Sequence, residues 1–128
     1  MTQMTLPHPL PGEYARTVAD RFRLLGDPTR LLLMDQLRDG ERCVGDLAET
    51  LGCTQANVSK HLSLLADGGL VVRRRQGLNT FYAVSDGAVF ELCDAVCASV
   101  LSHLDARTSA LRVTSATSAP ARRPHTAG

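Results

Sequence analysis

Gly52 and the pair Gly68-Gly69 constrain this chain most, because they cut residues 43–69 into two short helical segments with almost no loop between them. From 43 to 51, Val44, Leu47, Ala48 and Leu51 recur at three and four residues and share one helix face. Gly52 supplies the turn, since it takes a left-handed conformation without a steric penalty. Thr54 stands where an N-cap belongs, and its hydroxyl can accept from an orphan amide of the next helix. From 55 to 67 the inward positions are Val58, Leu62 and Leu65, and Gly68-Gly69 ends the run. Two short helices joined by a tight glycine turn form a helix-turn-helix.

The flanking segments complete the architecture. Tyr14, Val18, Phe22 and Leu25 form a helical stripe over 13–25, ended by Gly26. Asp27 reads as the N-cap of a second helix with Pro28 at its first position. Leu31-Leu32-Leu33-Met34 and Leu37 are apolar nearly all round, which predicts a central, buried helix stopped by Asp39-Gly40. Leu70-Val71-Val72 begins a strand that runs into Arg73-Arg74-Arg75. Gln76-Gly77-Leu78-Asn79 is turn chemistry, and the β-branched and aromatic Thr80-Phe81-Tyr82-Ala83-Val84 returns as a second strand, making a wing. Over 87–104, Val89, Leu92/Cys93, Val96/Cys97, Val100/Leu101 and Leu104 predict a last helix. The expected fold is mainly α with a β-hairpin, a winged helix-turn-helix of order ααααββα.

Pro7, Pro9 and Pro11 block regular structure near the start, and Thr, Ser, Ala, Pro and Arg dominate after Thr108. The expected organisation is a disordered tail at 1–12, one domain at 13–106 and a disordered basic tail at 107–128. The composition is 44% hydrophobic, enough for a packed core. No apolar run reaches the roughly 18–20 residues of a membrane span, and the first residues lack a basic n-region. A cytoplasmic protein is expected, with its four cysteines reduced.

The net charge of +1 conceals a partition. Residues 55–82 carry Lys60, Arg73, Arg74 and Arg75 against Asp67 alone, whereas 83–106 carry Asp86, Glu91, Asp94 and Asp105 and no Lys or Arg. The basic stretch coincides with the second helix of the helix-turn-helix and the wing. Gln55, Asn57, Ser59, Lys60, His61 and Ser63 are the outward positions of that helix. Gln and Asn can pair bidentately with adenine, Ser can donate to base or phosphate, and Lys neutralises phosphate. Arg73, Arg74 and Arg75 lie beside the hairpin turn, where a wing touches the DNA backbone or the minor groove. His61, beside Lys60, reads as a DNA contact and not a metal ligand. The acidic last helix would be repelled by DNA and is suited to face away from it.

Leu25-Gly26-Asp27-Pro28-Thr29-Arg30-Leu31, Cys43-Val44-Gly45-Asp46-Leu47-Ala48, Asn57-Val58-Ser59-Lys60-His61-Leu62, Gly69-Leu70-Val71, Gln76-Gly77 and Tyr82 together resemble the ArsR/SmtB family over about residues 14–104. The resemblance implies a homodimeric bacterial repressor, paired through its first and last helices, that leaves double-stranded operator DNA when a metal or metalloid binds. It carries the recognition positions to Gln55, Asn57, Ser59, Lys60 and His61, and the wing to residues 73–77. The sensor positions depart from the family. The Cys-x-Cys of one family type is Cys43-Val44-Gly45 here, with a single thiol. The zinc ligands of another type are replaced at Asp86-Gly87-Ala88 and Ser99-Val100-Leu101-Ser102, where three of four are absent.

Cys93 and Cys97 remain, one helical turn apart on the same face. Two thiolates there could clamp a soft ion, and a dimer axis could gather four. Arsenite-, mercury-, cadmium- or lead-type inducers are the expected class, with no organic cofactor. A three-sulfur site would need Cys43, Cys53 or a sister-chain cysteine. Both thiols also fall on the apolar stripe, where cysteine packs as a small hydrophobe. Two other readings stand beside this one: the same repressor with a thiol-redox or persulfide signal, and a small cysteine-dependent enzyme. The second is opposed by Glu91 and Asp94, acids near the thiols that disfavour a thiolate.

Overall fold

The computed structural model describes residues 7–116, with side chains as far as Leu111. The described chain divides into two compact units, one ending at Gly87 and one beginning at Ala88. The first holds α1 (Gly12–Leu25), α2 (Pro28–Gln36), β1 (Arg42–Cys43), α3 (Val44–Leu51), α4 (Gln55–Asp67), β2 (Val71–Gln76) and β3 (Asn79–Val84). The second is α5 (Ala88–Ala116).

The local signals act as physical chemistry demands. Asp27 Oδ2 accepts from the Arg30 amide at 3.1 Å and Pro28 follows it, so α2 begins with one donor capped and one removed. Thr54 Oγ1 accepts from the Asn57 amide at 3.1 Å and sets the start of α4. Gly52 closes α3 with φ 67°, the left-handed conformation the tight turn requires. The helix-turn-helix is therefore α3–α4.

Leu33, Leu47, Val58, Leu62, Leu65 and Leu70 are fully buried and form the centre of the first unit. α4 packs on α2, α3 and β2, so it is seated on the core along its inward face. The end of α4 also meets α1 closely: a Cβ on Gly68 would come within 2.1 Å of Leu24 Cδ1. A side chain at this position would require Leu24 to take another rotamer.

Two expectations are corrected, and the expected hairpin gains a strand. α2 is not buried all round: Leu33, Met34 and Leu37 face the core, while Leu31 and Leu32 are exposed on the opposite side. A period of 3.6 residues cannot turn four consecutive leucine and methionine side chains to one face. The sheet has three strands in the order β1-β3-β2, all antiparallel, because Arg42 and Cys43 pair with Tyr82 and Phe81. A two-residue strand leaves no periodicity to read. The last helix does not stop near 106 but continues to Ala116. Alanine favours helix without any apolar stripe, and Ala106 and Ala110 lie in that extension. The expected tail over 117–128, and residues 1–6 of the other tail, lie outside the described residues.

Candidate nucleic-acid interface

The face of α4 away from the core presents Gln55, Asn57 and Lys60 to solvent, with Ser59 half-buried beside them. The inward period of Val58, Leu62 and Leu65 turns these residues out, so burial on one side fixes which side chains read on the other. Gln55 sits at the first position, and its amide nitrogen lies 3.7 Å from where a Cβ on Gly45 of α3 would be. Thus α3 leaves just enough room for that amide.

His61 does not stand with Lys60 on the open face. Its side chain is only 15% exposed, and Nδ1 lies 3.2 Å from Arg30 Nη1 and 3.9 Å from Asp27 Oδ2. Arg30 meanwhile donates from Nε to the Leu24 carbonyl at 2.5 Å and from Nη2 to the Arg23 carbonyl at 3.4 Å. One guanidinium therefore ties the last carbonyls of α1 to the α2 cap and to the recognition helix. The Arg30 amide, and then the nearby His61 ring and Arg30 charge, hold the Asp27 carboxyl below the usual carboxylate range.

The three arginines of β2 have different surroundings. Alternation along the strand puts Arg74 on one face and Arg73 and Arg75 on the other. Arg74 is gripped: it donates to both Glu41 oxygens at 2.8 and 2.5 Å and to Gln76 Oε1 at 2.7 Å. Its guanidinium carbon also stacks 4.7 Å from the Phe81 ring centre. The side-chain hydrogen bond from Arg74 lowers the Glu41 carboxyl, and the same bond raises Arg74. Arg73 lies 5.7 Å from the Tyr82 ring centre. Among the described residues, Arg75 has no partner. Glu41 and Phe81 were not among the expected site residues, and Gln76 was expected only as part of the wing. Glu41 precedes Arg74 by 33 positions, and only the short β1 strand brings the two together.

The wing should therefore loosen in acid. A carboxyl with a lowered pKa stabilises the fold fully above the ordinary carboxylate range and loses that contribution as pH falls through its lowered value. Amide protection factors along β2 and β3, which correct for the intrinsic pH effect, should fall in the wild type as pH is taken down from about 6 through the carboxylate range. Glu41→Gln should show no such fall, because its wing lacks the ion pair at either pH. A salt titration should separate the arginines. On a duplex selected by the wild-type chain from a randomised pool, Arg75→Ala should flatten the dependence of log K on log salt by about one unit. Arg74→Ala should flatten it less, since its charge is already paired; equal slopes would show that Arg74 leaves Glu41 on DNA.

In α5, Cys93 is half-buried and Cys97 exposed, one turn apart. Val96, Val100, Leu101 and Leu104 are exposed on the same helix. Cys43 ends β1 at the N-cap of α3, and Cys53 sits in the α3–α4 turn with its thiol 3.6 Å from the Leu51 carbonyl. Both are half-buried. Among the described residues, no three Cys, His, Asp or Glu side chains are grouped to hold a metal ion, and no helix is long and apolar enough to cross a membrane.

Residues 27–72 match the profile of bacterial regulatory proteins of the arsR family, a span that holds α2, the helix-turn-helix and the first residues of the wing. The chain is 41% identical over 86 residues to the HTH-type transcriptional regulator NmtR of Mycobacterium tuberculosis, covering 67% of this chain and 72% of that one. It is 42% identical over 83 residues to a probable mercury resistance operon repressor of Streptomyces lividans, covering 65% and 66%. The fold is similar to the homodimeric winged helix-turn-helix DNA-binding domain of a possible ArsR-family regulator from Mycobacterium bovis, with a TM-score of 0.64, 31% identity and coverage of 71% and 87%.

Proposed function

This chain belongs to the arsR family of bacterial regulatory proteins, and from that premise we propose that it is a homodimeric repressor released from operator DNA by a thiophilic metal or metalloid ion held at Cys93 and Cys97. Its relatives and structural neighbours are transcriptional regulators, so the cysteine-enzyme reading falls and the chain is a DNA-binding regulator.

The observation that carries the inducer reading is the thiol pair itself. Cys93 and Cys97 stand one turn apart on α5, at least one of them open to solvent. A relative similar over 83 residues is named for mercury resistance, which supports a soft ion of the same class. The donor set fits such an ion: two sulfurs on one face can hold a two-coordinate ion or supply half of a four-thiolate site. Hard cations would find no oxygen cage in this pair.

Dimerisation through α1 and α5 is supported by what each helix exposes. Tyr14, Val18 and Phe22 line one face of α1, and Val96, Val100 and Leu104 recur every four residues along α5. Apolar stripes of this kind mark an association surface. On α5 the thiols share the helix with that stripe, so a two-fold axis there would bring a second pair near the first. A third sulfur, where an ion demands one, would come from a further cysteine, for which the sister chain's thiols are candidates.

The test is a release screen on the selected duplex with arsenite, antimonite and divalent mercury, cadmium, lead and zinc. Release by one or more of the soft ions and not by magnesium is the expected result. No release by any of them would overturn the inducer reading and leave the DNA-binding reading standing. Footprinting should show two half-sites related by two-fold symmetry, roughly 10 bp or a multiple apart.

A further inference from the structure

We propose that Leu78, at the tip of the wing, is an apolar wedge that enters the minor groove of bound DNA and parts a base step. The proposal rests on the DNA-binding reading and adds to it a residue that bends or unstacks the duplex.

Leu78 is 98% exposed, whereas the next most exposed large apolar side chain among the described residues, Leu101, is 62%. It occupies a two-residue turn between Gln76 and Asn79, which pair with each other across the hairpin. Gly77 takes φ 60° there, so the turn is tight and the leucine projects without cover from its own chain. Position and chemistry disagree: a hairpin tip favours Gly, Asn or Asp, and an isolated leucine in water gains nothing for the fold. Such a side chain becomes useful when something apolar receives it. Stacked bases opened toward a narrow groove are one such receptor, and Leu is among the residues that serve as wedges.

The surroundings specify nucleic acid and not another apolar surface. Arg73 and Arg75 lie on one face of the strand that leads to the tip, and Arg75 has no partner among the described residues. Cationic flanks suit the phosphates on either side of a groove, and a narrow minor groove draws arginine. Gln76 accepts from Arg74 through Oε1 at 2.7 Å, which leaves its amide hydrogens to donate. Minor-groove edges of A·T pairs present only acceptors, and Gln76 and Asn79 flank Leu78 with donors of the required kind.

A wedge must also be stiff, since a flexible tip would fold aside before it unstacked bases. The Arg74 fork on Glu41, its stack on Phe81 and the third strand β1 supply that stiffness.

The experiment uses the full chain and the duplex of about 30 bp selected from a randomised pool, with a fluorescent adenine analogue placed at successive steps. Wild type should raise the fluorescence at one step per half-site. Leu78→Ser should remove that rise and weaken binding about tenfold, with the salt slope unchanged because no charge is lost. Leu78→Met, which keeps an apolar tip, should restore both. Leu78→Ser that binds and unstacks as wild type does would overturn the wedge alone. Loss of self-association on Leu78→Ser, with unstacking retained, would make the tip a contact between chains and overturn it too. Failure of wild type to bind any duplex from the pool would overturn the DNA reading itself, and the wedge with it.

Discussion

Replacing Cys93 and Cys97 together by serine should leave operator affinity within about twofold of wild type and raise the arsenite or mercury concentration needed for half-release by at least about a hundredfold. The two halves of this expectation have separate causes. Serine is close in size to cysteine and Cys97 is exposed, so the helix tolerates the change. The side chains proposed to read bases lie on α4 and the wing, so affinity for DNA has no direct reason to move. Serine hydroxyls, however, are hard, neutral donors and cannot replace thiolates toward a soft ion. Single variants sharpen the result. If two sulfurs act as one clamp, either single serine should lose most of what the double loses, because a chelate broken at one arm is broken. Gel shifts over a titration of each ion give both numbers at once. A double variant released at the wild-type concentration would end the assignment of the site, and Cys43→Ser and Cys53→Ser in the same assay would then locate the thiol that matters.

The second large effect concerns the seat of the recognition helix. Leu62 is fully buried among Val58, Leu65 and Leu33 in the centre of the first unit. Leu62→Ala should cost about 2–5 kcal/mol, the lost transfer energy plus the cavity left where α4 meets α2 and α3. A small domain holds about 5–15 kcal/mol in all. At about 4–8 °C per kcal/mol the melting temperature should fall by more than about 10 °C. Leu64→Ala offers the contrast on the same helix. Leu64 is partly exposed, and its loss should cost about 1 kcal/mol or less. Equal costs at the two positions, measured by urea unfolding, would mean that α4 is held by something other than its inward stripe. DNA binding should follow stability in Leu62→Ala and recover on cooling, since none of the reading side chains has been altered.

The helix-turn-helix was legible because its signals are local and redundant. Thr54 caps, Val58, Leu62 and Leu65 repeat, and glycine stands at both ends. Each of these acts within a few residues of where it is written. The wing was legible for the same reason, through its β-branched and aromatic return strand. What stayed hidden depends on distance along the chain or on phase. Glu41 and Arg74 meet only because a two-residue strand docks on β3. His61 follows Lys60 by one position, and one position is a turn of 100° about the helix. That rotation takes it from solvent to the Asp27–Arg30 cluster. The extension of α5 was hidden because alanine and threonine announce neither a core face nor a stop. The proposed sensor site could be written from the sequence as a thiol pair and no further, since its completion depends on an assembly that one chain does not write down.

Arg30 and Gly68 together bear on how a message could cross this protein. Arg30 holds the final carbonyls of α1 and touches His61 on α4. Gly68, at the C-terminal end of α4, lies against the Leu24 side chain of α1. The last turn of α1 thus meets α4 at two places, its middle and its C-terminal end. Packed groups like these shift as a block and do not yield by degrees. A displacement imposed on α1 would be geared into a tilt of Gln55, Asn57 and Lys60 with little slack to absorb it. The apolar face of α1 and the row proposed to read bases are thereby mechanically coupled.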